Sequence, residues 1–166
     1  GLRITLTPHV RFHGMLGGDG KNAIINGSKG LIFPVLWHEP FGLAIVESLY
    51  FGCPVFGTPY GSLPELLGKK ENSGRKKSTW NGMVDAFYSD FGFLSVKKSE
   101  LVDAIKNVGA FDPRRCHEHA LENFSADRMA QDYLRLYEQV LNGKPLHLES
   151  PVLLEAPTDK FLTMKE

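Results

Sequence analysis

The stretch GLIFPVLWHEPFGLAIVESLYFGCPVFG, residues 30–57, spells out strand, loop, helix, stop and strand in one continuous reading. The apolar run from residue 30 to 35 has no polar alternation, as in a strand covered on both faces. Pro34, which lacks an amide hydrogen, marks its C-terminal end. After the loop of residues 37–42, Leu43 is followed by Val46, Leu49 and Tyr50 at spacings that build one apolar helical face. Gly52 and Pro54 stop that helix, and residues 54–57 read as the next strand. A strand, a crossover helix and a second strand make one unit of a parallel sheet.

Working outward, residues 10–13 form an earlier strand-like run. Gly14, Gly17, Gly18 and Gly20 follow as turn residues before a helical segment at 21–26. Downstream, Gly61 and Ser62 read as a turn and 63–68 as a short helix. Residues 69–81 are charged, small and polar, the composition of a solvated loop. A strand-like run returns at 91–96. Ser99 is placed to cap a helix through Val108, with Leu101, Ala104, Ile105 and Val108 on one face. Two more helices follow, the last from about Ser125, with Met129, Tyr133, Leu136, Tyr137 and Val140 at helical spacing and Gly143 near its end. The expected fold is α/β, a Rossmann-like parallel sheet with flanking helices over residues 1–143. Residues 144–166 are expected as an extended tail.

The 166 residues carry 19 basic and 19 acidic side chains, so the charge balance offers nothing to a nucleic acid. With 42% hydrophobic residues the chain can bury a single core. Cys53 and Cys116 lack any spacing that would make a metal or redox pair, and a reduced, cytoplasmic setting is the default. No stretch reaches the roughly 20 apolar residues of a bilayer span, and the N-terminus carries no signal-peptide pattern.

The chemistry concentrates where the loop enters the helix. Glu39 lies in the loop and Glu47 in the helix, seven residues between them. In an open parallel sheet ligands bind beyond the carboxyl ends of the strands, and this junction is such an end. Gly42 admits close backbone approach, and the free amides of a helix start suit a diphosphate. Carboxylates repel phosphate but accept hydrogen bonds from hydroxyls. A nucleotide sugar has both: a diphosphate flanked by hydroxyls on the sugar and on the ribose.

The motif EPFGLAIVE at 39–47, followed by FGCPVFGTPYGSLPEL at 51–66, resembles the family 4 retaining glycosyltransferases of the two-domain GT-B type. The similarity runs in order through Val10-Arg11-Phe12-His13-Gly14, Gly92-Phe93-Leu94, Asn123-Phe124-Ser125 and Tyr133-Leu134-Arg135-Leu136-Tyr137. It implies that Glu39 is the catalytic side chain, touching the transferred sugar where charge develops. The backbone of Phe41, Gly42 and Leu43 would hold sugar and diphosphate, and Glu47 the ribose diol. Leu16 and Lys21, in the turn after the first strand, would face the base. Gly61 and Ser62 stand where the family has two glycines, so Ser62 is a departure.

The resemblance implies a UDP- or GDP-linked donor, no cofactor and no metal, and transfer with retention to a sugar or lipid-linked acceptor. The family's diphosphate-clamping Arg and Lys lie upstream of the Val10 region, and the acceptor domain is N-terminal to that. Neither is contained in this chain, so it is expected to supply the donor site alone and to be inactive without its partner half.

Plainer readings stand beside these. Two carboxylates on a loop and a helix surface are ordinary in an α/β protein. A non-catalytic nucleotide-sugar-binding or scaffold domain would keep the same motif, and so would a same-fold epimerase or phosphorylase. Trp37 and His38 read as loop-shaping residues. Lys69, Lys70, Arg75, Lys76 and Lys77 read as a solvated loop, with contact to an anionic lipid surface as the alternative. Cys53 reads as a small buried residue and Cys116 as a helix residue, neither as a nucleophile, and Tyr133 and Tyr137 read as core or interdomain packing.

Overall fold

The computed structural model describes residues 7–68, 79–80, 83–84, 86–147 and 162–166. In chain order the elements are α1 (Gly18–Asn26), β1 (Leu31–Phe33), α2 (Leu43–Tyr50), β2 (Val55–Gly57), α3 (Leu63–Leu66), β3 (Thr79–Trp80) and β4 (Met83–Val84). There follow β5 (Ala86–Ser89), β6 (Gly92–Ser95), α4 (Lys98–Lys106), a 3₁₀ turn (Val108–Ala110), α5 (Pro113–Phe124) and α6 (Ala126–Leu141). The main sheet has the order β1-β2-β6-β5. Strands β1, β2 and β6 are parallel, with Leu31 opposite Val55 and Val55 opposite Gly92. Strand β5 closes the edge antiparallel to β6. Strands β3 and β4 form a separate antiparallel pair.

Alternation along the strands sorts the core into two layers. Val55 and Leu94 face one side, where α2 contributes Ile45 and Leu49, α3 contributes Leu63 and Leu66, and α5 contributes Cys116 and Ala120. Phe56 and Phe93 face the other, against Leu101 and Ile105 of α4 and Phe111 beyond it. Helices on both faces of a mostly parallel sheet make this a Rossmann-like α/β fold.

The strand–helix–strand unit forms, with β1 ending at Phe33 just before Pro34 and α2 ending ahead of Gly52. Strand β1 is not the strand covered on both faces that its apolar run predicts: it stands at the end of the sheet order with Ile32 59% exposed. The buried face of α2 differs from expectation. Ile45, Ser48 and Leu49 are buried, whereas Leu43 is 70% exposed and Tyr50 lies at the surface. The helix is apolar almost all round, so its pattern does not select a face, and the packing of α5 does.

Residues 10–13 form no strand and are exposed, because among the described residues no neighbouring strand offers them a ladder. Helix α1 begins at Gly18, three residues before the expected start. Ser99 is not a cap: α4 begins at Lys98, and the hydroxyl that organises its start is Ser95, accepting from the Lys97 amide at 3.0 Å and donating to Glu100 at 2.6 Å. The predicted cap of α6 does form, with Ser125 accepting from the Arg128 amide. The aromatic stripe of α6 is not core: Tyr133 and Tyr137 tilt against each other at the surface. Most of the basic segment 69–81 lies outside the described residues.

The last five residues are tied down. The Leu162 amide donates to Leu36, the Lys165 amide to Val96, and the Tyr60 hydroxyl to the Thr163 carbonyl at 2.7 Å. No helix among the described residues is long and apolar enough to cross a membrane.

Candidate functional site

The site assembles where β1 and β2 end. The Thr58 hydroxyl, fully buried, donates to the Val35 carbonyl at 2.5 Å and locks the two strand exits together. From there the chain turns through Trp37, His38 and Glu39 into Gly42. His38 packs edge-on against Tyr60 with ring centroids 6.2 Å apart. Trp37 donates its indole N–H to Glu39 Oε2 at 3.0 Å, so one carboxylate oxygen has a fixed partner and the other stays open.

Gly42 has φ 88°, a left-handed conformation that a side chain would strain. It is the N-cap of α2 without a side-chain cap, and its carbonyl already accepts from Ile45 at 2.9 Å. A methyl group at Gly42 would come within 2.8 Å of Ile45 Cδ1 and 3.5 Å of Glu39 Cγ. The glycine therefore lets the loop fold close to its own acid while the first amides of α2, Leu43 and Ala44, open the helix.

Gly61 (φ 66°) supports the loop from below. A Cβ there would overlap the backbone oxygen and nitrogen of Glu39. The adjoining Ser62 amide donates to the Glu39 carbonyl at 2.9 Å, and the Ser62 hydroxyl donates to the Phe41 carbonyl at 2.7 Å. Where the resembled family has a second glycine, this chain has a hydroxyl that braces the loop between Glu39 and Gly42. Phe41 in turn meets Phe124 of α5 edge to face.

Glu47 lies in the middle of α2 and is bound by Lys21 of α1: Nζ to Oε1 is 2.6 Å, with the two side chains 35% and 42% exposed. The structure thus brings together two predicted site residues 26 positions apart. Glu39, Phe41, Gly42, Gly61 and Ser62 form a second connected group through the contacts above. Leu16 precedes α1 at the surface, and Leu43 is exposed at the start of α2.

Neither cysteine offers a nucleophile. Cys53 donates its thiol to the carbonyls of Ile25 and Ser28, and burial pushes its pKa up. Burial, with smaller contributions from nearby Cys53 and Asp112, pushes the Cys116 thiol up to about 12. Among the described residues no group of three or more His, Cys, Asp or Glu is placed to hold a metal.

Sequence reasoning overlooked the contacts of Trp37 with Glu39 and of Lys21 with Glu47. The first had a signal, an indole donor two residues from an acid. The second had none, since it depends on how α1 docks beside α2. No curated protein matches the chain. Residues 3–83, which include every predicted site residue from Leu16 to Ser62, match the family model described as glycosyl transferases group 1, so the site-bearing part of this chain is similar to that family.

Proposed function

We propose that this chain supplies the donor site of a retaining glycosyltransferase, binding a UDP- or GDP-linked sugar for transfer to an acceptor hydroxyl carried by a separate domain. The similarity to glycosyl transferases group 1 supports glycosyl transfer as the general chemistry. The observation that carries the finer reading is the junction itself: a left-handed glycine opening α2, with one carboxylate before it and another within the helix.

In this reading the diphosphate lies at the opening amides of α2, where the helix dipole favours negative charge. The sugar hydroxyls meet Glu39 and the backbone of 41–43. The ribose diol meets Glu47, and the base lies toward Leu16 and the start of α1, beside Lys21. The acceptor oxygen bonds to the anomeric carbon on the face from which the diphosphate leaves, and the acceptor proton passes to a departing diphosphate oxygen. Glu39, held by Trp37, stabilises the positive charge that grows on the sugar as the bond to diphosphate breaks.

The test separates binding from turnover. Glu47→Ala removes hydrogen bonds to a charged acceptor and weakens UDP or GDP binding roughly tenfold or more. Glu39→Ala leaves nucleotide binding near wild type and lowers donor-dependent transfer by the complete enzyme about 100-fold. Nucleotide binding without any transfer would assign the chain to a non-catalytic binding domain. Unchanged binding and turnover in both variants would reject the donor site altogether.

A further inference from the structure

We infer that Lys21 is the positioning residue for the ribose-binding carboxylate, setting how strongly the site prefers a nucleotide with an intact diol. The inference rests on the donor-site reading of Glu47. It comes from an ion pair that joins two helices at this site: Lys21 Nζ to Glu47 Oε1 at 2.6 Å, both groups about one-third to two-fifths exposed.

Three features make the pair more than a surface contact. Lys21 follows directly on the first turn of α1, its amide reaching back to the Gly17 carbonyl, and a cation near that end opposes the helix dipole. Asp19 supplies the acid of that first turn, but the carboxylate that the Lys21 ammonium contacts is Glu47, across on α2. Second, α2 has no acid in its first turn and carries Glu47 alone, so the carboxylate is not one of several solvated charges. Third, the contact uses Oε1, which leaves Oε2 to accept from a hydroxyl. A glutamate on a helix surface samples several rotamers, and a ligand that needs one of them loses affinity for the others. An ammonium at 2.6 Å holds one rotamer before the ligand arrives.

This gives Lys21 a task a base contact would not have. A base reader acts on any nucleotide carrying that base, whereas a residue acting through Glu47 matters only when there are ribose hydroxyls for Glu47 to hold. The experiment uses the intact protein and measures binding of UDP, GDP and their 2′,3′-dideoxy forms to wild type, Lys21→Gln, Lys21→Arg and Glu47→Gln, each with its melting temperature. Lys21→Gln is expected to weaken the preferred ribonucleotide about fivefold, the scale of a half-exposed ion pair, and to leave the dideoxy form nearly unchanged. Lys21→Arg restores the preference, and raising the salt concentration erodes it in wild type.

Equal weakening of the ribo and dideoxy forms by Lys21→Gln would overturn the inference in favour of a direct base or phosphate contact. No weakening of either would overturn it as well. Failure of the donor-site reading looks different: wild type then binds neither UDP nor GDP, or Glu47→Gln leaves the preference for the diol intact.

Discussion

Gly61→Ala tests how closely the loop carrying Glu39 is held. At φ 66° an alanine costs about 1–2 kcal/mol of backbone strain wherever it is placed. Here the methyl would also overlap the Glu39 backbone and stand 2.9 Å from its carbonyl carbon. Ordinary carbon contacts lie at about 3.5 Å or more, so the loop must retreat by about 1 Å. That displacement breaks or stretches the bond from the Ser62 amide to the Glu39 carbonyl, worth about 1 kcal/mol net. The expected loss of stability is therefore about 2–3 kcal/mol. A misplacement of about 1 Å at a reacting group costs on the order of 100-fold in rate.

Gly143→Ala is the control. Its φ is 70°, and a methyl there meets nothing within 4 Å, so it carries the strain without the overlap. The assays are chemical denaturation of both variants and donor-dependent transfer by the complete enzyme carrying each. If Gly61→Ala costs no more stability than Gly143→Ala and transfers at the wild-type rate, the close seating of the Glu39 loop on Gly61 is refuted.

Two further outcomes follow from buried groups. Thr58→Val preserves shape but leaves the Val35 carbonyl without its hydroxyl donor, and chemical denaturation should show a loss of about 1–3 kcal/mol. The Cys116 thiol stays protonated in the fold up to about pH 12, while in the unfolded chain it ionises near its ordinary value of 9.0. The unfolded state then binds fewer protons above that value, so this contribution to stability is full below pH 9.0 and is lost as pH rises toward about 12. Melting temperatures across that window, wild type against Cys116→Ala, measure it: a steeper alkaline decline in wild type is expected, and parallel curves would contradict it.

What the residues disclosed in advance was whatever is decided locally. Pro34, Gly42, Gly52 and the apolar runs between them determine β1, α2 and β2, because each acts on its own stretch of backbone. Strand β5 went unseen: Ala86, Phe87 and Tyr88 are only partly buried or exposed, and the strand exists through its pairing with β6 across the turn at Asp90 and Phe91. The face of α2 was illegible for a related reason, since a helix with so few polar residues acquires its inside from its neighbour. Ser99 lost the cap because α4 already starts at Lys98, which leaves Ser99 inside the first turn, while Ser95 bonds the Lys97 amide just ahead of the helix. At the site, the loop and its acids could be read from spacing, but the partners holding the acids could not. Trp37 reaches Glu39 through a side-chain torsion, and Lys21 reaches Glu47 through the docking of two helices.

The anchoring of residues 162–166 bears on how opening of the loop that carries Glu39 would be seen. Leu162 reads out the exit of β1 through Leu36, and Lys165 reads out the exit of β6 through Val96, with β2 lying between those two strands. Amide exchange at these two positions therefore keeps separate clocks on the exits of β1 and β6. A ligand that clamps only the side bearing Glu39 would slow the first and leave the second running.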